Sequence, residues 1–304
     1  MKTFKGINFT SRVAIVTGAG SGIGEATAHA LASFGAHVVC AGLPGDPLKD
    51  VAKSLKKYGV KSSVFEGDLG DSVTANALIK QTIENFGQLD ILICNAGVNL
   101  STDSTDKQSD ETFERTMKSN VFSTFYVTRA ALPFLRKTHG CIVATGSIAG
   151  LKGEPDDAIY GGSKGFVHLF MQSLAVEQAK HGIRVNVVCP GAIDTAMTHA
   201  ARTSLTKAEE RKMADNIPMK RKGTVEEIAN TIAFLASDIA SYMTGALVPV
   251  DGGYTLSWGD VEEVPAKLKR KPKGRLDKLL KHTFDGGYKK NNPKPATLKE
   301  KRTH

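Results

Sequence analysis

Seven short apolar runs, each followed by a longer amphipathic stretch, constrain this chain more than any other feature of its sequence. The runs are VAIVT (13–17), HVVCA (37–41), SSVFE (62–66), LDILIC (89–94), GCIVATG (140–146), IRVNVVC (183–189) and ALVPV (246–250). Helix-like stretches lie between them near 23–34, 47–58, 72–86, 111–137, 158–181 and 224–236. Strands that are apolar almost throughout are buried on both faces, so this alternation predicts a parallel sheet covered by helices on each side. With right-handed crossovers the result is a doubly wound α/β sheet of Rossmann type, one domain over residues 1–258. Such sheets bind ligands beyond the carboxyl ends of their strands, so the residues after each run are the candidate functional positions.

After the first run comes TGAGSGIG, with Gly18, Gly22 and Gly24 in the spacing TGxxxGxG. Glycines there give a turn free of side chains that opens a helix, whose first amides and dipole favour a pyrophosphate. Later, YGGSK places Tyr160 four residues before Lys164. On a helix those two share a face. Phe166, Leu169, Phe170, Leu174 and Val176 recur downstream at near-helical spacing, which supports that helix.

The motifs TGAGSGIG, GDLGD, CNAG, the SN at 119–120, GSIAG, YGGSK and PGAIDTAM follow one another in an order that resembles the short-chain dehydrogenase/reductase family, in its shorter single-domain branch. The resemblance covers roughly residues 10 to 255, and the 13-residue separation of Ser147 from Tyr160 agrees with it. It implies an NAD(P)-dependent oxidoreductase acting on a secondary alcohol or ketone of modest size, acyl-thioester-linked ones included, as a carbonyl reductase, a 3-oxoacyl reductase-like enzyme or an alcohol dehydrogenase. Tyr160 would be the general acid/base and Lys164 its cationic neighbour, which also holds the nicotinamide ribose. Ser147 would hold the substrate oxygen, and Asn120 would anchor a water leading to the lysine. The cofactor contacts implied are Gly18, Ser21, Gly22, Ile23 and Gly24 at the glycine loop, Gly42 after the second strand, and Asp68 and Leu69 at the adenine. Asn95, Ala96 and Gly97 keep most of the family's NNAG among the cofactor contacts, and Ile193 and Thr195, after Pro190 and Gly191, resemble the contacts to the nicotinamide amide. The family's first Asn of NNAG is Cys94 here, which removes a local hydrogen bond rather than a catalytic group.

The choice between NAD and NADP is less plainly written. An acid at the end of the second strand would bind the adenosine ribose hydroxyls and mark NAD, but that position is Gly42. An Arg just after it or inside the glycine loop would mark NADP, but Leu43 and Ser21 stand there. Asp46 reaches back to the ribose in one reading and serves a surface turn in PGDP in the other. With no cation placed for a 2′-phosphate, the sequence tips to NAD, and Gly42→Asp is expected to strengthen that preference.

The substrate would be held by loops after Gly97, around 149–158 and from Ala196 to Pro218, the last a lid with a helical TKAEERKMA. The acids of LKGEPDDA, beside Tyr160, are expected to face water. The net charge of +9 is concentrated: residues 264–304 carry 14 Lys and Arg against three acids, while residues 1–263 are close to neutral. The basic C-terminal extension, 259–304, has an apolar stripe of Leu276, Leu279, Leu280 and Phe284, read as a short helix packed on its own or a neighbouring subunit. It is read as unstructured after about Asn291; binding of nucleic acid, an anionic membrane or an acidic protein is the alternative, neither nucleic acid nor membrane is supported by the sequence, and sparse aromatics speak against single-stranded nucleic acid. The four cysteines have neither metal-ligand nor redox-pair spacing, and no metal site is expected. Buried reduced thiols and the lack of a signal-peptide pattern point to the cytoplasm, and apolar segments at 111–137 and 158–181 to a homodimer or homotetramer. A competing reading, a nucleotide-sensing scaffold acting through the basic tail, has no use for Asn120, Ser147, Tyr160 and Lys164 together. Epimerases and dehydratases of the extended branch use a different glycine spacing.

Overall fold

The computed structural model describes residues 6–101, 103–195, 211 and 214–257. Most of the lid, including nearly all of its expected helix, lies outside the described residues. So does the whole tail, with the Leu276, Leu279, Leu280 and Phe284 stripe and the stretch after Asn291.

The elements, in chain order, are β1 (Val13–Thr17), α1 (Gly22–Ser33), β2 (His37–Gly42), α2 (Leu48–Leu55), β3 (Ser62–Glu66), α3 (Ser72–Phe86) and β4 (Ile91–Cys94). There follow α4 (Asp110–Met117), α5 (Ser123–Thr138), β5 (Cys141–Thr145), α6 (Ala158–Gln178), β6 (Arg184–Pro190), α7 (Val225–Ala236) and β7 (Leu247–Val250). All seven expected strands form, in the order β3-β2-β1-β4-β5-β6-β7 and parallel throughout. The chain reverses direction across the sheet between β1 and β4, which is where a doubly wound sheet opens its binding crevice.

Alternation along each strand divides the core. Ala14, Val16, Val38, Cys40, Ile91 and Ile93 face one layer, packed against Leu31 of α1, Leu55 of α2 and Ile232 of α7. Ile15, Val39, Leu92, Cys94 and Ile142 face the other, against Leu78 of α3, Leu135 of α5 and Met171 of α6. Truncating a fully buried residue such as Leu92 to Ala removes contacts on a face with no solvent to replace them, at a cost of roughly 2–5 kcal/mol. All four cysteines are free thiols buried in this core.

Of the boundaries that differ from the sequence reading, three have a clear local cause. The fourth strand begins at Ile91 because Asp90 turns its carboxylate onto the Val13 amide at 2.8 Å, closing the start of β1. The segment 47–58 is α2 followed by a separate 3-10 turn, Lys56–Tyr58, ended by Gly59 in the left-handed region. The segment 111–137 is two helices joined by a π-turn, Lys118–Phe122. On α6, Ser163, Lys164, Val167, His168, Met171 and Leu174 are buried, whereas Phe166, Leu169 and Val176 of the apolar pattern are exposed.

Candidate active site

Beyond the carboxyl ends of the strands the described residues enclose a cleft of ≈ 380 Å³, within the range of about 300–1,000 Å³ usual for small-molecule sites. The expected residues line it in the order of the sheet. Gly18, Ser21, Gly22 and Ile23 follow β1, Gly42 ends β2, and Asp68 and Leu69 follow β3. Asn95, Ala96 and Gly97 follow β4, Ser147 follows β5, Tyr160 and Lys164 stand on α6, and Pro190, Gly191, Ile193 and Thr195 end and follow β6. Gly24 and Asn120 are absent from the lining and stand behind it.

The loop opening α1 is shaped for an anion. Ser21, at the N-cap, makes no side-chain cap bond, and the first amide bonded back is that of Glu25, to the Ser21 carbonyl at 3.1 Å, which leaves the amides ahead of it for a ligand. Gly24 is required by close approach: a Cβ there would lie 2.0 Å from the Gly18 carbonyl oxygen. Thr17, which the sequence reading passed over, ties β1 to β4. Its hydroxyl accepts from the amides of Asn95 and Ala96, each at 2.9 Å, while Asn95 Nδ2 donates to the Thr17 carbonyl at 3.1 Å. The TG dipeptide carried that signal. Cys94 points into the core, with Sγ 3.6 Å from the Thr128 hydroxyl, so the hydrogen-bonding work falls to Asn95 and Thr17.

At the other end, α6 carries Tyr160 and Lys164 one turn apart, with the Lys164 ammonium 5.7 Å from the centre of the Tyr160 ring. Lys164 is buried, and its Nζ donates to the Thr145 carbonyl at 2.8 Å. Burial pushes the ammonium down to about 8, with a small opposing effect from Cys189. Desolvation pushes the Tyr160 phenol up to about 12. The Ser147 hydroxyl pulls it back, and the charges of Asp157 and Glu154 add to the rise. Ser147 caps the turn after β5, its Oγ accepting from the Ala149 amide at 3.1 Å. Behind it sits buried His168, whose Nε2 is 3.4 Å from the Ser147 amide and which burial pushes down to about 4. Asn120 occupies the π-turn. Its side chain clamps Val98, accepting from the amide at 2.7 Å and donating to the carbonyl at 2.9 Å, and donates to Ser163 Oγ, next to Lys164, at 2.9 Å.

Two acids depart from expectation. Glu154 and Asp157 line the cleft rather than facing water. Asp157 is buried because it takes the hydrogen bond from Asn99 Nδ2, at 3.1 Å, that ties the loop before α6 to the strand β4 side. Asp46 also lines the cleft, so the surface-turn reading of PGDP is incomplete. Among the described lining residues Lys164 is the only cation.

The family model described as enoyl-(acyl carrier protein) reductase matches residues 18–255 of this chain. An uncharacterized oxidoreductase of Thermotoga maritima is 38% identical, over 82% of this chain and 99% of its own length. The chain belongs to the short-chain dehydrogenase/reductase family. A meso-2,3-butanediol dehydrogenase of Serratia marcescens is 35% identical over 83% of this short-chain dehydrogenase and 98% of itself. The crystal structure of an NAD+-bound xylitol dehydrogenase superposes with a TM-score of 0.75 at 31% identity, covering 81% of this chain and 99% of the other. This short-chain dehydrogenase is an NAD(P)-dependent oxidoreductase acting between secondary alcohols and ketones.

Proposed function

We propose that this enzyme interconverts a neutral, hydroxyl-bearing secondary alcohol and its ketone, with NAD as the preferred cofactor and Tyr160 as the general acid/base. The observation that carries the reading is the charge of the cleft: four carboxylates, Asp46, Asp68, Glu154 and Asp157, against the single described cation Lys164. A carboxylate or phosphate brought to about 5 Å from Glu154 or Asp157 meets a repulsion of about 3 kcal/mol at an effective dielectric of ~20. Hydroxyl groups, in contrast, donate to those carboxylates. The diol and polyol named for the Serratia enzyme and the xylitol enzyme are substrates of this kind. Acyl-carrier thioesters, which the family model's description names, are the second reading.

The cofactor would lie from Gly42 across the amides of α1 to Thr195, and when bound it supplies the hydride acceptor or donor. The protein's own part is proton handling. A phenol raised to about 12 is protonated at neutral pH and donates to a ketone oxygen as that oxygen gains charge. In the oxidative direction Tyr160, as the phenolate, accepts the alcohol proton, a form that the positive ring of an oxidised cofactor would favour when bound. Ser147 Oγ holds the same oxygen and stabilises charge building on it. Lys164 holds the nicotinamide ribose, and Asn120, through Ser163 and Val98, fixes the lysine's surroundings. Buried free thiols support a reducing, cytosol-like compartment, and the exposed apolar side chains of α6 support assembly as a dimer or tetramer. Residues 259–304 are read as an extension dispensable to the site.

The test is a screen of neutral diols and polyols, their ketones, and anionic acyl thioesters, run in parallel with NAD(H) and NADP(H). Turnover confined to neutral substrates supports the reading. Preference for an acyl thioester would replace it with the second one.

A further inference from the structure

Gly42 ends β2 where an acid is the usual partner of the adenosine ribose, and the structure shows what fills the space an acid would take there. A Cβ added to Gly42 would lie 2.7 Å from Asp46 Oδ2. The turn that brings Asp46 back is short and fixed. Gly45 takes φ +94°, the Asp46 amide donates to the Leu43 carbonyl at 3.1 Å, and Asp46 Oδ2 accepts from the Leu43 amide at 3.0 Å. The same turn leans on the glycine loop, since a Cβ on Gly20 would come within 2.9 Å of Asp46 Cβ. Two glycines that look merely permissive in the sequence therefore make room for one carboxylate, set between the end of β2 and the phosphate-binding loop.

We propose that Asp46 is the residue that selects the cofactor. Its carboxylate stands in for the acid missing at Gly42, accepts hydrogen bonds from the adenosine ribose hydroxyls, and repels a 2′-phosphate. Three further observations support the assignment. Asp46 lines the cleft together with Gly42 and Leu43. Desolvation holds its carboxyl up at about 6, with the Leu43 amide opposing and Glu66 adding to the rise, so the group gains from a donor arriving in the cleft. The nearby lysines are already engaged, Lys49 with Glu66 at 3.1 Å and Lys118 with Asp68 at 2.8 Å, which leaves a 2′-phosphate facing carboxylates. This corrects the expectation for Gly42→Asp: the added side chain would have to displace Asp46 and set two carboxylates together, so it is not a simple gain of NAD preference.

The proposal rests on the reading of the cleft as a dinucleotide site, and the experiment separates the two. Dissociation constants of NADH and NADPH are measured by fluorescence for the wild type, Asp46→Asn and Asp46→Ala, with thermal melting as a folding control. The Asn variant keeps an acceptor for the Leu43 amide and so preserves the turn. The expected result is a wild type that favours NADH. In both variants the NADH-to-NADPH affinity ratio should fall at least ~10-fold, the effect of losing one hydrogen bond to a charged group. An unchanged ratio in a folded Asn variant overturns the assignment of Asp46 alone. A wild type that binds neither dinucleotide overturns the oxidoreductase reading and the assignment with it.

Discussion

Lys164 shows most directly that the site is built at the expense of the fold. Its ammonium is buried and driven down to about 8, from 10.5, by desolvation. A shift of that size corresponds to a cost on the order of 3 kcal/mol, offset in part by the bond to the Thr145 carbonyl. The sign follows from proton binding. Between pH 8 and 10.5 the unfolded chain still holds the proton that the folded chain has released, so this residue's contribution to stability rises across that window. Below about 8 its cost is fully present. Lys164→Met should therefore raise the melting temperature of the protein without cofactor at pH 7 while abolishing turnover, as calorimetry and a steady-state assay can show. A lowered melting temperature would mean that the Thr145 bond outweighs desolvation. Ser147→Ala should lower kcat by roughly 10²–10³-fold, the cost of one oxyanion donor, while stability falls only by the loss of one cap bond, about 1 kcal/mol. At this scale the motifs spelled out Gly18, Ser147, Tyr160 and Lys164. Asp46 was only half legible, because its role depends on a turn that folds it back over Gly42 rather than on its place in a motif.

At the scale of elements, strand positions were legible because each is an apolar run closed by a turn signal. The π-turn at Lys118–Phe122 was not, since the apolar spacing on either side reads as one helix. On α6 the period was right but the face was mixed. Val167, Met171 and Leu174 meet the sheet, while Phe166 is 39%, Leu169 67% and Val176 82% exposed. One face of this helix fills the core; on the other, Phe166 stacks on Phe170 with ring centres 5.5 Å apart, and Leu169 and Val176 are largely exposed. This apolar face is where assembly as a dimer or tetramer is proposed. Leu169→Glu should reduce the assembly to a smaller species at micromolar concentration, read by light scattering, with the monomer still folded. A wild type that is monomeric under the same conditions would remove α6 from any interface.

On the scale of the molecule, every described strand falls within residues 13–250 and the described cleft lining within residues 18–254, while the charge excess belongs to residues 264–304. Truncation after Ser257 should leave a protein that folds and binds dinucleotide with the affinity of the full chain, and loss of either would make the extension part of the domain. One cleft is proposed to combine dinucleotide binding with proton transfer by Tyr160. That combination is tested most directly by Tyr160→Phe, assayed for turnover of a neutral diol and for NADH binding on the same preparation. Turnover should fall by at least ~10²-fold with NADH affinity held within about twofold. Turnover at the wild-type rate would contradict it and remove Tyr160 from the chemistry.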